Sequence, residues 1–263
     1  MKVGAWGLLQ PFADVVKLFA KGATLLRITV SSGFLLAPVM ALILALLLPT
    51  VLRLEEAGQA WKFTPLYLLM VLRLNIYPLL LAGWSSNRKY ALIGGLRGVS
   101  QTISYEISLA FLVMAIFLEL SDLSLGEAEA EFRIIWAFPL LTLWGLSCIA
   151  ELNRTPFDFA EGESELVSGF NIEYGAVKFA LLFMAEYAII YTLSLLTFTL
   201  LVSEHRLGAA RVLGGVGLAR VVIWLRATYP RYRYDLLIDL AWKRLLPWRL
   251  AALQLTRLAT LVS

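Results

Sequence analysis

The sequence predicts an all-α polytopic membrane helix bundle of about seven transmembrane helices with interfacial amphipathic helices, and three observations carry that prediction. Hydrophobic residues make up 60% of the chain, charged residues only 16%, and the mean hydropathy is +0.76, a balance far too apolar for a soluble domain. The apolar residues fall in continuous runs long enough, or nearly so, to cross a hydrocarbon layer as helix. A membrane β-barrel would show short alternating segments with turn signals instead. Residues 1–263 read as one membrane domain.

Residues 1–32 form the entry segment. From Leu8 to Lys21 the apolar Leu8, Leu9, Phe12, Val15, Val16 and Phe19 recur at helical spacing, while Gln10, Asp14, Lys17 and Lys21 take the opposite side. This amphipathic helix is too polar to span, and either anchors the chain at the surface or walls a chamber opening at the interface. Four spans follow at 33–51, 65–82, 102–120 and 134–150, then an acidic connection at 151–176. Spans at 177–202, 207–225 and 245–262 complete the chain, with a basic connection at 226–244 between the last two. Residues 157–170 and 232–246 mix charged and apolar side chains and read as two further interfacial pieces.

Basic residues sort onto alternate connections. Lys2, Lys17, Lys21 and Arg27 precede the first span, Arg88, Lys89 and Arg97 sit in the 85–100 loop, and Arg226, Arg231, Arg233, Lys243 and Arg244 follow the sixth span. The positive-inside rule places these connections and the acidic one on the same, cytoplasmic or matrix, face. The pI near 9.2 follows from this bias, so nucleic acid is not an expected partner.

The segment ELNRTPFDFAEGESELVSGFNIEY, residues 151–174, holds six carboxylates and one arginine, Arg154, between two apolar runs. Folding and insertion do not require so many acids at a bilayer boundary. Asp158, Glu161 and Glu165 are spaced to share one face of a helix, with Glu163 pointing elsewhere. Crowded carboxylates titrate as a coupled set, because ionising one opposes ionising the next. Glu106 and Glu186 lie inside spans, where a charged side chain costs about 2.5–3.5 kcal/mol on the insertion scale. Each is either a static hydrogen-bonded acid that helps helices pack or a proton carrier. Arg73 is mid-span and has no partner identifiable from sequence, whereas Arg211 and Arg220 lie near enough to helix ends to snorkel. The glycines of GGVGLAR (214–220) lie in an apolar span and suit close helix packing rather than a nucleotide loop. One cysteine, Cys148, and one histidine, His205, make no iron–sulfur, haem or zinc ligand set.

Five runs together carry a resemblance: GLLQPFADVVKLF (7–19), GWSSNRKYALIGGLRGVSQTISYEISL (83–109), the acidic segment 151–174, AEY (185–187) and RATYPRYRYDLLIDLAWKRLLP (226–247). Over almost its whole length the chain resembles the quinone-chamber membrane subunit of respiratory complex I, the family of mitochondrial subunit 1 and its bacterial counterparts. The resemblance implies a core subunit of a proton-pumping NADH:ubiquinone oxidoreductase with no redox centre of its own. Ubiquinone would be the substrate, while FMN and iron–sulfur clusters would sit in partner subunits. It implies a proton path through Glu106, Glu151, Glu161, Glu163 and Glu186, and Arg154 is expected to hold the acidic loop by pairing with one of that loop's own acids. The quinone chamber is expected around Gln10, Asp14, Lys17, Phe157, Asp158 and Arg226. Implied partners are the hydrophilic quinone-module subunits, small membrane subunits, antiporter-like subunits and lipids. The expected location is the mitochondrial inner membrane, with a bacterial plasma membrane as the alternative. The family carries a first transmembrane helix ahead of GLLQPFAD, whereas this sequence opens MKVGAWGLLQPFAD. That helix, with the quinone-site arginine near it, is expected from a longer form of the protein or from a separate short polypeptide.

Two rivals share part of this pattern. A membrane subunit of a membrane-bound hydrogenase or formate hydrogenlyase would share the acidic loop without handling quinone. A stand-alone proton-coupled transporter should show internal repeats with paired broken helices, which the sequence does not display.

Overall fold

Prolines and glycines set most of the helix boundaries and close approaches. The computed structural model describes residues 4, 7, 9–22, 29–50, 52, 63–119, 134–160, 162, 169–201 and 208–262, and every regular element among them is helical. Helix α1, Gln10–Ala20, carries Pro11 in its first turn, where a missing N–H breaks no helical bond. The next is α2, Ser31–Leu47. The predicted 65–82 span is two helices, α3 (Thr64–Leu74) and α4 (Ile76–Ser85), joined at Asn75. Pro78 lacks the N–H that would bond the Leu74 carbonyl, and the Asn75 N–H closes a tightened turn onto Val71 and Leu72 at 3.2 and 3.1 Å.

Helix α5 runs Lys89–Glu119 and begins 13 residues before the predicted 102–120 span, so most of the expected 85–100 loop is helix. Polar residues hide this start from hydropathy, yet they satisfy themselves locally. Ser100, Thr102 and Ser104 donate to carbonyls three or four residues back at 2.9, 3.2 and 2.7 Å. Close packing also fixes the start of α5. A Cβ on Gly94 would lie 2.9 Å from the Gly169 Cα and 3.0 Å from the Ala160 carbonyl oxygen. Gly94→Val is therefore expected to destabilise the fold by about 1–3 kcal/mol, seen as lower yield of assembled complex on a native gel, and normal yield would contradict this packing.

Helix α6 spans Ile134–Glu151 and ends at Asn153, whose φ of 48° is the left-handed turn that asparagine tolerates. Residues 155–160 are irregular, so Asp158 is not on the expected acidic helix, and Glu161, Glu163 and Glu165 lie outside the described residues. Pro156, without a donor, keeps that stretch from continuing α6. A short 3₁₀ turn, Gly169–Asn171, leads into α7 (Ala176–Leu201) and α8 (Gly208–Thr228). The glycines of GGVGLAR serve packing, as expected: a Cβ on Gly214 would overlap the Phe198 ring, and Gly215 abuts Leu195. The 232–246 piece becomes α9 (Tyr234–Asp239) and a π-helical turn (Leu240–Leu245), continuous with α10 (Leu246–Val262).

Three helical stretches, Thr64–Ser85, Lys89–Phe117 and Ala176–Leu201, are long and apolar enough to cross a membrane, and Ser32–Leu47 and Leu140–Glu151 are shorter apolar helices. The protein is a helical membrane bundle. Its main core joins Phe34, Leu72, Leu112, Trp144 and Leu193 from α2, α3, α5, α6 and α7. The Trp144 indole donates to Thr197 Oγ1 at 3.0 Å and ties α6 to α7. A second apolar cluster, with Tyr105, Phe157, Phe159 and Leu237, fastens the turn after α6 to α5 and α9.

Candidate functional site

The loops predicted to share a face meet at one end of the bundle. Arg88 pairs with Glu173 at 2.9 Å, the Val30 N–H donates to the Ser85 carbonyl at 3.0 Å, and the Tyr232 N–H donates to the Pro156 carbonyl at 3.0 Å. The Thr155 hydroxyl donates to the Arg226 carbonyl at 2.8 Å, and the Gln101 amide donates to the carbonyls of Ala150 and Phe157 at 2.9 and 2.7 Å. Tyr174 stacks on Phe34 at 4.2 Å and shares a hydrogen bond with Ser85. Burial pushes its phenol up to about 12, so that bond keeps its proton across the physiological range.

Beneath this end lie three carboxylates. Glu106, in the middle of α5, is buried and accepts a 2.5 Å hydrogen bond from Arg73 Nε of α3. This supplies the partner that sequence could not identify for Arg73. The two residues are 33 positions apart, and no local pattern links them. Glu186, on α7 and outside the acidic segment that was expected to supply the partner, is bound by Nη2 of Arg154 from the turn after α6. That guanidinium is itself buried and lies against the rings of Tyr187 and Phe183, 5.5 and 6.0 Å from their centres. Glu151 closes α6 and is buried, and among the described residues no lysine or arginine stands within ion-pair distance of it.

A cavity of about 70 Å³ lies between Glu151 and Glu186, with Asn75, Thr102 and Asn153 among its walls. The break at Asn75 thus places a polar side chain where an unbroken span would put only helix. A polar cavity this large admits more than one water, since a single water needs about 10–15 Å³ by the same measure. Carboxylates, amides and waters so arranged can pass a proton by exchanging hydrogen bonds.

The residues expected around the chamber do not share one cavity. Gln10 donates to Asp14 at 2.9 Å on α1, and Lys17 follows one turn later. This helix packs on α7 and leaves Phe12 and Val16 exposed. Phe157 is buried and lines a different, larger opening of about 1200 Å³ between α6, the 229–233 segment and the start of α10. Arg226 is exposed beside it, with its neighbours Leu225 and Tyr229 in the wall, whereas Asp158 is outside the lining. Sequence reading missed Arg231 here: its Nε and Nη2 atoms are buried without an acceptor, and its guanidinium lies 5.0 Å over the Phe159 ring. Two more buried cations were passed over. Lys178 sits 4.3 Å from the Phe34 ring, and Arg249 is fully buried on α10. The signal for both was a basic residue inside an apolar run.

Comparison with known proteins identifies a family. The family model described as NADH dehydrogenase matches residues 1–257. A relative from Coturnix japonica named NADH-ubiquinone oxidoreductase chain 1 is 47% identical over 95% of this chain and 80% of its own length. Proteins of the same name from Branchiostoma lanceolatum and Sarcophilus harrisii are 45% and 43% identical, over 96% and 95% of this chain and 82% of their own lengths.

Proposed function

The chain belongs to the NADH dehydrogenase family, as a membrane subunit of NADH:ubiquinone oxidoreductase, and from that premise we propose that it forms much of the quinone-binding chamber and the entrance of a proton path. The observation that carries this reading is the row of acids, Glu106 and Glu151 buried and Glu186 partly so: Glu106 and Glu186 are each held by an arginine from another element, and Glu151 faces a cavity that admits water. Buried carboxylates inside a membrane are costly unless they face a polar interior or exchange protons. Glu161 and Glu163 belong to the same proposed path.

The 1200 Å³ opening suits an amphiphile with a long apolar tail. Its walls include Leu143, Leu146, Leu236 and Trp248. The donors of Arg231 suit a quinone carbonyl or its anion. Helix α1, with Gln10, Asp14 and Lys17, frames the chamber from the α7 side. FMN and iron–sulfur centres of docked hydrophilic subunits supply the electrons, since Cys148 alone, buried in α6, offers no ligand set. Reduction of quinone adds negative charge in a dry cavity, and the acids answer by taking up protons. Small membrane subunits and antiporter-like subunits receive that change, in the mitochondrial inner membrane.

The test compares two activities of the assembled complex. Asp14→Asn and Arg226→Met are expected to lower quinone-dependent turnover several-fold, while NADH oxidation by a hydrophilic acceptor such as ferricyanide stays near wild type, because only the first reaction needs the membrane chamber. Equal loss of both activities would indicate failed assembly. Unchanged quinone kinetics in both variants would remove these residues from the chamber.

A further inference from the structure

Arg73 stands near the middle of the span Thr64–Ser85. At 1.5 Å of rise per residue the nearer end, Thr64, is about 13.5 Å away, too far for the side chain to lift its charge out of the hydrocarbon. Nε donates to Glu106 at 2.5 Å, yet the Arg73 side chain is 65% exposed while that of Glu106 is 5% exposed. Nη1 and Nη2 meet no acceptor among the described residues. A guanidinium stays ionised, and N–H groups turned to lipid find no water to bond. Such a face requires a cover that accepts hydrogen bonds.

The surroundings of Arg73 have the form of a helix-packing site. On α3, Leu66, Met70 and Arg73 follow at intervals of four and three residues and so share a face, and Leu66 and Met70 are exposed. Helices α3 and α10 both pack on α5. Between the three lies an opening of about 490 Å³ whose walls, Leu66, Leu69, Val113, Met114 and Leu253 among them, are apolar apart from Arg257. Leu66 is two turns from Arg73 on α3, and Val113 is two turns from Glu106 on α5. The opening and the ion pair therefore lie along one antiparallel seam between the two helices. An apolar slot with a cation at mid-membrane depth fits a transmembrane helix that is apolar except for one acidic side chain. A lipid tail brings no acceptor to that depth.

We propose that this face of α3 and α5 is an interface of the assembled oxidoreductase, occupied by a transmembrane helix of another membrane subunit that sets an aspartate or glutamate against Arg73. Glu106 occupies Nε, which leaves the Nη1–Nη2 edge, and its two parallel donors match both oxygens of a carboxylate. Charge also selects an acid over a neutral acceptor. When Glu106 takes up a proton, Arg73 has no counter-ion among the described residues, and a second carboxylate keeps the cation paired where the dielectric is low. That step rests on the reading of Glu106 as a proton carrier, whereas the exposure of Arg73 and the apolar slot stand without it.

The test is cross-linking within the purified, intact complex. Met70→Cys, one turn from Arg73, carries a short thiol-linked photo-crosslinker, and the joined peptides are identified by mass spectrometry. The expected product joins position 70 to a transmembrane segment of another subunit, with an aspartate or glutamate within two helical turns of the linked residue. Adding Arg73→Gln should lower the yield of that product several-fold, and replacing the partner's acid by its amide as well should restore part of it, since the stranded charge is then gone. A product that links position 70 only to lipid, to another part of this chain, to a second copy of it, or to a segment with no acid nearby would overturn the proposal. A yield unchanged by Arg73→Gln would overturn it too. Should Arg73→Gln fail to assemble, the product formed with Arg73 intact decides. Proton pumping by Glu106→Gln is measured separately: full pumping there would sink the role of Glu106 in the path, while the cross-link alone decides the interface.

Discussion

Replacing Glu186 by glutamine is expected to leave the complex assembled while quinone-linked NADH oxidation and proton pumping fall together, by about tenfold or more. The amide keeps the size of the side chain, and its oxygen still accepts from Arg154, so the α7 contact to the turn after α6 survives. What disappears is the ability to gain and lose a proton. Native-gel assembly and ferricyanide activity should match wild type, and full pumping by the assembled variant would refute a proton-carrying role for Glu186.

The opposite partner gives the larger structural effect. Arg154 is 3% exposed along its side chain, and Glu186 25%, so Arg154→Met leaves a largely enclosed carboxylate without its cation. Breaking such a pair from one side costs about 3–5 kcal/mol, and Arg154 also packs on the rings of Phe183 and Tyr187. The variant should assemble poorly and dissociate at a lower temperature than Glu186→Gln. Adding Glu186→Gln to Arg154→Met should recover part of the loss, because the stranded charge is then gone. A double variant no better than Arg154→Met would show that the ring contacts, and not the ion pair, dominate.

These two predictions also separate what could be read in the residues from what could not. The helical character of the apolar runs and the amphipathic opening helix follow from period and hydropathy. Local signals of that kind survive in the fold. The Arg73–Glu106 pair was invisible, since hydropathy records that a charge lies in a span and says nothing of what it faces. The early start of α5 was hidden for a related reason: Arg97, Gln101 and Ser104 lower hydropathy, but packed glycines and back-bonded hydroxyls make that stretch good helix. Pro78 was a legible break signal that the continuous 65–82 reading passed over, and the resulting kink delivers Asn75 to the cavity. Arg249 was concealed by the apolar run around it. Its partners, the hydroxyls of Ser108 and Ser147 and the Leu143 carbonyl, lie on two other helices and show no local pattern.

The most direct test of the central claim, that quinone chemistry beside this chain drives protonation of its buried acids, is redox-triggered infrared difference spectroscopy on the intact complex in lipid. Reducing bound quinone with NADH should raise carboxyl bands in the wild type that shift in heavy water and lose one component each in Glu186→Gln and Glu151→Gln. A difference spectrum identical in wild type and in both variants would contradict the claim, and the acids would then be static hydrogen-bonded packing groups.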